Sequence, residues 1–192
     1  MINIIVNISL FVIMSDSSRI RRAFAEAYSQ ALISREARTA SSNNTSQSKF
    51  FHGAVVLQGN RIIGSGYNTY TRNYVQGKFY LSIHAELAAM LYSAIPFIYE
   101  RGSHRKNNHK NFRKKVIKNP RSTEYDLLVI RINPDGQLKN SRPCILCIED
   151  MKRRNIKRVF YTNDQGKIVY ENIHEMIPKP DLRPSFIQKH IQ

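Results

Sequence analysis

The chain has 192 residues, 30 of them Lys or Arg against 14 Asp or Glu, giving a formal net charge of +16 and a pI near 10.1. That length supports one ordinary domain with its own core and argues against a second full one. Two cysteines, both in a single C-x-x-C, exclude a disulfide framework and point to a reducing, intracellular and cytoplasmic setting, while the excess of cations predicts attraction to phosphate-bearing partners without naming one.

Residues 1–16 form an apolar N-terminal segment whose first fourteen residues, MINIIVNISLFVIM, carry no charge. The run lacks the basic n-region and small-residue cleavage site of a signal peptide and is shorter than the roughly 20 apolar residues of a membrane span, so no membrane partner is expected. Two readings stay open: an apolar arm or added strand packing on the domain, and an over-extended gene start with the initiator at Met14. From Ser17 the pattern turns helical. Asp16, Ser17 and Ser18 are N-cap types, and Ile20, Phe24, Tyr28, Ala31 and Leu32 recur at steps of three and four, with Arg19, Arg21, Arg22, Glu26 and Arg35 on the other face. The polar run Ser41 to Ser46 has nothing to bury and reads as a linker.

Phe50 to Leu57 and Arg61 to Tyr67 are extended apolar patterns flanking the turn dipeptide Gly59-Asn60, which predicts a β-hairpin. The segment Thr69 to Tyr80 reads as a solvated loop, with Arg72, Tyr74, Lys78 and Tyr80 in reach of a substrate. A helix is predicted from near Ser82 or Ile83, burying Leu87, Ala88, Met90 and Leu91 and ending by Pro96. Residues 101–121 then carry nine Lys or Arg and no acid, a self-repelling basic insertion. Tyr125 to Ile132 is a nearly continuous apolar strand of the kind covered on both faces. After the loop signal Asn133 to Gly136, a helix through about Arg154 and a strand at Val159 to Thr162 complete a βαβ unit whose strands should be parallel. A short last strand is expected over Lys167 to Tyr170, and residues 173–192 form a tail, weakly structured from Pro178 apart from a turn of helix at Phe186 to His190.

Chemistry concentrates in two short motifs. His84-Ala85-Glu86 places an imidazole two residues before a carboxylate at a helix start, and Pro143-Cys144-Ile145-Leu146-Cys147 adds two thiols at the start of another. One imidazole and two thiolates make three protein donors, the number that a catalytic zinc keeps so that its fourth position stays open. Cysteines on the first turn of a helix are favoured as thiolates by the positive helix end. The remaining histidines, His52, His104, His109, His174 and His190, read as non-ligands, with His104 or His109 the only candidates for a fourth donor.

H-x-E followed by P-C-x-x-C resembles the signature of the zinc deaminases, and the chain resembles the CMP/dCMP-type zinc-dependent deaminase family, within the cytidine deaminase-like superfamily that also holds tRNA adenosine deaminases. The resemblance covers roughly residues 50–170, in a deaminase domain set at residues 17–172. It implies an α/β chain with a three-layer α/β/α fold around a mixed sheet, with the two metal helices on one face and the N-terminal helix on the other. It also implies zinc (Zn2+) as cofactor, held by His84, Cys144 and Cys147, with a zinc-activated water as nucleophile and Glu86 as proton shuttle. Gly66-Tyr67-Asn68 resembles the G-Y-N or G-W-N that closes the same strand in the family, which implies substrate contacts for Asn68, and likewise for Ala85 and Pro143. The implied activity is hydrolytic deamination of a cytosine nucleotide or nucleoside, and the implied assembly is a homo-oligomer.

The gap of 60 residues between His84 and Cys144 exceeds the compact spacing of that family, and the basic insertion accounts for the excess. Arg113, Lys114, Lys115 and Lys118 are therefore candidate contacts to RNA or single-stranded DNA, which keeps open an alternative substrate, a tRNA adenosine or another nucleic-acid base. A rival of another class is a catalytically silent, zinc-stabilised RNA-binding or accessory module. Glu86 separates the two, since a site that only holds metal has no use for that carboxylate.

Overall fold

The computed structural model describes residues 17–40, 50–69, 74–75, 78–79, 82–93, 95 and 124–177. The apolar N-terminal segment, the linker after the first helix, the basic insertion with Arg113, Lys114, Lys115, Lys118, His104 and His109, Pro96, and the tail from Pro178 all lie outside the described residues.

The predicted first helix is α1, Ser18–Ala40, and the predicted hairpin is β1, Phe51–Gln58, with β2, Arg61–Tyr67. The segment expected to be a solvated loop instead contains two short paired strands, β3 (Tyr74–Val75) and β4 (Lys78–Phe79). Helix α2 spans Ala85–Tyr92, β5 Tyr125–Ile132, β6 Leu138–Lys139, α3 Ile145–Arg153, β7 Ile156–Thr162 and β8 Ile168–Asn172. The main sheet runs β2-β1-β5-β7-β8, with β6 joined to β5. Among the described strands only β5 and β7 pair in parallel, as the βαβ pattern predicts, so the sheet is mixed. The folded unit continues past β8, where Ile173 and Met176 are buried in the core.

Alternation along the strands divides the sheet into two faces. Ala54, Val56, Leu127, Val129, Val159 and Tyr161 point to one side and pack with Leu87, Ala88 and Met90 of α2 and with Ile148 and Met151 of α3. Val55, Leu57, Leu128, Ile130, Ile132 and Phe160 point to the other and pack on α1. This is the expected three-layer α/β/α arrangement. Each fully buried aliphatic side chain contributes about 1.5–3 kcal/mol relative to exposure, so both faces are needed to offset the ordering of a chain this long.

The stripe of α1 differs from the expected one. Ile20, Ala23, Ala27 and Ala31 are its buried apolar residues, while Phe24, Tyr28 and Leu32 flank them. Small residues face the sheet because β1 comes very close: a Cβ at Gly53 would stand 1.9 Å from the Ala27 carbonyl oxygen. On the opposite face, a Cβ at Gly66 would stand 2.6 Å from the Ala89 amide of α2. Arg19, expected on the solvent face, turns instead to the buried Asp126 of β5 at 3.1 Å, because that carboxylate at the strand end requires a counter-ion. Helix α3 ends at Arg153 with Arg154 as its C-cap, and the chain then turns at Asn155, whose φ of 57° is a left-handed conformation that Asn tolerates just past a helix end.

Candidate metal centre

The helix expected to begin near Ser82 or Ile83 begins at Ala85, and His84 is its N-cap; Cys144 is the N-cap of α3. An N-cap side chain ordinarily accepts a hydrogen bond from the first turn of its own helix, and neither does so here. They turn to each other instead. His84 Nδ1 lies 3.6 Å from Cys144 Sγ and 3.3 Å from Cys147 Sγ, and the donor atoms of the three residues all fall within 4.8 Å. Two uncapped helix starts therefore converge on one point, each bringing unpaired amides and a positive end.

Two anchors hold these segments. The residue before His84, Ile83, exchanges backbone hydrogen bonds with Thr69 just past β2, at 2.8 and 3.0 Å. Ahead of Cys144, Ser141 is buried: its hydroxyl meets the Val129 carbonyl and the Thr162 hydroxyl, both at 2.8 Å, and accepts from the Thr162 amide. The next residue, Arg142, grips Glu171 of β8 with two guanidinium nitrogens at 3.1 and 3.0 Å. The turns that carry the candidate donors are thus tied to the end of β2 on one side and to β5, β7 and β8 on the other, which holds the donors close.

The protonation states fit a metal site. The hydrogen bond from Cys147, joined by the His84 contact, pulls the Cys144 thiol down to about 4. The same bond and burial push Cys147 well above the ordinary thiol range. Burial alone would lower His84, but its contact with Cys144 and the nearby Glu86 carboxylate raise it to about 9. The metal-free centre thus retains protons that a cation displaces on binding, so affinity falls as pH falls. One imidazole and two thiolates suit zinc in kind and number, with a fourth position left open. Among the described residues no other group of three such donors comes together.

Glu86 is buried beside this cluster and is not part of it. Burial raises its carboxyl above the usual range, against the pull of His84. Asn68 directly follows β2. Its Oδ1 accepts from the His52 amide at 2.8 Å and from the Ser34 hydroxyl at 2.8 Å. With the oxygen committed, the amide nitrogen makes no hydrogen bond among the described residues. Ala85 and Pro143 are both buried, each one residue from a donor.

A family model describing the cytidine and deoxycytidylate deaminase zinc-binding region matches residues 28–163, well over half of the chain. The chain belongs to this family. Its cofactor is zinc and its activity class is that of the zinc-dependent, hydrolytic deaminases. Among solved structures, the chain is similar to the dCMP deaminase of the cyanophage S-TIM5 in complex with dCMP and dUMP, at 17% identity over 78% of this chain and 85% of that one, with a TM-score of 0.37. It is also similar to the cytidine deaminases of Mycobacterium leprae (17% identity, 81% and 98% covered, TM-score 0.39) and Burkholderia pseudomallei (17% identity, 84% and 96% covered, TM-score 0.40). No curated protein matches the sequence. No helix among the described residues is long and apolar enough to cross a membrane.

Sequence reasoning missed His52 and Arg131. They face each other across β1 and β5 on the side that carries α2 and α3, and burial together with Arg131 and His84 lowers His52 to about 3. A strand pattern shows neither, because their meeting depends on the register.

Proposed function

We propose that the protein hydrolytically deaminates a cytosine nucleotide or nucleoside, with His84, Cys144 and Cys147 as zinc ligands and Glu86 as the group that moves protons. The observation that carries this reading is the buried Glu86 carboxyl beside, and outside, the three-donor cluster. Zinc bound there supplies a Lewis acid that makes water nucleophilic near neutral pH. Glu86, whose carboxyl burial raises above the usual range, would take one proton from the attacking water and pass it to the ring nitrogen, then take the second from the newly formed hydroxyl and pass it to the amino group that leaves as ammonia. Asn68 donates from its amide nitrogen to the substrate, its oxygen being held by Ser34 and His52. The backbone amides of Ala85, in the first turn of α2, and of Cys144, the N-cap of α3, have no partner within their helices and would polarise the base carbonyl, with Pro143 beside it.

The test is a panel of CMP, dCMP, cytidine, deoxycytidine, adenosine and guanine compounds, assayed for ammonia with zinc-loaded and chelator-treated protein. Zinc-dependent release from a cytosine compound is expected. Protein holding about one zinc per chain that releases ammonia from none of them would make the chain a zinc-stabilised binding module.

The net charge of +16 favours a second reading, in which RNA or single-stranded DNA approaches through residues 101–121. Contacts from Arg113, Lys114, Lys115 and Lys118 would make the logarithm of the binding constant fall with that of salt, at about −0.7 per phosphate contacted on a single strand. Replacing the four by Ser would flatten that slope without loss of zinc, and an unchanged slope would exclude the insertion as the contact. A homo-oligomer in the cytoplasm completes the proposed setting; light scattering at micromolar concentration tests the first part.

A further inference from the structure

A row of polar side chains crosses the sheet where its strands are otherwise apolar. The Asn68 backbone N–H donates to the His52 carbonyl, His52 stands opposite Arg131 on β5, and Arg131 stands opposite Lys139 on β6. Directly opposed residues in antiparallel strands share a face, so His52, Arg131 and Lys139 lie on the face that carries α2 and α3. Both ends of the row connect along the chain to the segments that carry the three donors. Past Asn68, Thr69 pairs with Ile83, the neighbour of His84; past Lys139, the Asn140 carbonyl accepts from Arg131 at 3.3 Å, four residues before Cys144.

Architecture does not explain this row. Like charges placed opposite each other, as Arg131 and Lys139 are, destabilise a sheet. Neither has a carboxylate partner among the described residues, and the Arg131 Nε is buried with no hydrogen-bond partner. The guanidinium is held flat, with its central carbon 3.5 Å from the centroid of the Phe50 ring. Arg142 and Arg158, by contrast, each grip a carboxylate, which raises them above the ordinary guanidinium value, whereas burial with no anion lowers Arg131. A guanidinium held against a ring and a lysine opposite it, neither with a carboxylate partner among the described residues, match a phosphate group, which accepts the planar fork of Arg and the point charge of Lys.

We propose that Arg131, with Lys139, binds the phosphate of the substrate, so that the protein acts on a free cytidine or deoxycytidine monophosphate in preference to the nucleoside. This rests on the deaminase reading and narrows its substrate class. A phosphodiester in a strand offers the same oxygens, and the row selects the monoester because a terminal phosphate carries more charge against two cations.

The test uses full-length, zinc-loaded protein and the variants Arg131→Gln and Arg131→Lys, with dCMP, deoxycytidine and a cytosine-containing oligonucleotide as substrates. The wild-type kcat/KM should favour dCMP over deoxycytidine by about 100-fold, from two charge-assisted contacts. Arg131→Gln should shrink that ratio by about 10- to 100-fold, mainly through KM, and Arg131→Lys should restore part of it. A general loss of folding cancels in the ratio. A wild-type ratio near one, a ratio unchanged in Arg131→Gln, or an oligonucleotide preferred over dCMP overturns the proposal. Calorimetric binding of dCMP and deoxycytidine to the same proteins gives the answer without turnover. Tighter dCMP binding that weakens in Arg131→Gln supports the phosphate site even if no compound is deaminated, in which case only the deaminase reading fails; equal binding of both compounds overturns the site.

Discussion

The two ends of β5 treat charge in opposite ways. At the amino end, Asp126 is buried and enclosed by guanidinium groups: Arg158 meets both of its oxygens at 2.9 and 2.7 Å, and Arg19 reaches it from α1 at 3.1 Å while also donating to the Gly59 carbonyl. That cluster ties α1, the hairpin turn and β7 to the central strand. At the carboxyl end, Arg131 and Lys139 face each other across β5 and β6 with no carboxylate partner among the described residues. Charge that the fold itself satisfies is architecture, and charge that it leaves unsatisfied beside a reactive centre is provision for a ligand. The same strand thus carries a stabilising network at Asp126 and a recognition element at Arg131, five residues further on.

The comparison is broken most sharply at the metal end. Glu86→Gln should retain zinc and lose turnover by about 10²- to 10⁴-fold, the usual scale of general acid-base catalysis. Metal content by absorption spectrometry and ammonia release measure the two halves separately. Equal activity in the variant would remove Glu86 from the chemistry. Little change in stability should accompany it, because the amide fits the same space and the buried carboxyl gains nothing from ionising.

At the other end, Asp126→Asn should do the reverse, lowering stability and leaving the catalytic constants of the folded fraction alone. Removing one partner of a fully buried ion pair costs about 3–5 kcal/mol. Arg158 is 42% exposed and Arg19 17%, so water recovers part of that cost and about 2 kcal/mol is expected. Urea denaturation read as a midpoint shift at constant slope checks it. A variant as stable as the parent would show that the network only occupies space.

His52 links the two regimes through pH. Its folded value, about 3, lies below the unfolded 6.5, so the unfolded chain binds the extra proton between those limits. The stability it protects is therefore complete above pH 6.5 and is lost as pH falls toward 3. Each pH unit within the window is worth at most about 1.4 kcal/mol, so about 1–2 kcal/mol should disappear between pH 6.5 and pH 5. His52→Gln should flatten that part of the pH–stability curve. A curve of unchanged slope would assign the acid sensitivity to other groups.

Much of this was legible in the sequence, and the reasons differ by element. The hairpin announces itself through Gly59-Asn60 between two β-rich runs, and the metal ligands through two short motifs, since donors on one turn need only local spacing. The βαβ unit follows from strand-helix-strand order alone. Other elements carry no such signal. Strand β6 has two residues, too few for a period, and β3 and β4 are equally short. The start of α2 moved to Ala85 because its N-cap is a histidine engaged with cysteines, which no capping rule anticipates. Arg19 was placed in solvent because helical periodicity does not show that a carboxylate waits on a strand far along the chain. Arg131 was hidden inside YDLLVIRI, a run that reads as continuously apolar until the register puts it between His52 and Lys139.

The smallest effect is also the one that separates the two ends most directly. Arg131→Met removes a guanidinium while keeping a flexible side chain to lie over Phe50. The losses are one hydrogen bond to the Asn140 carbonyl and the ring contact, each worth about 0.5–1.5 kcal/mol. Against them stand relief of the like-charge contact with Lys139 and recovery of the cost of desolvating an uncompensated cation. These terms nearly cancel, so stability should change by about 1 kcal/mol or less in either direction, below the loss in Asp126→Asn. The comparison should be made by urea denaturation of both variants at low and high salt. High salt screens the repulsion between Arg131 and Lys139, so the parent should gain stability on adding salt while Arg131→Met gains less. A loss in Arg131→Met as large as that in Asp126→Asn would mean that the carboxyl end of β5 is built for stability after all, and that its cations are satisfied by the fold.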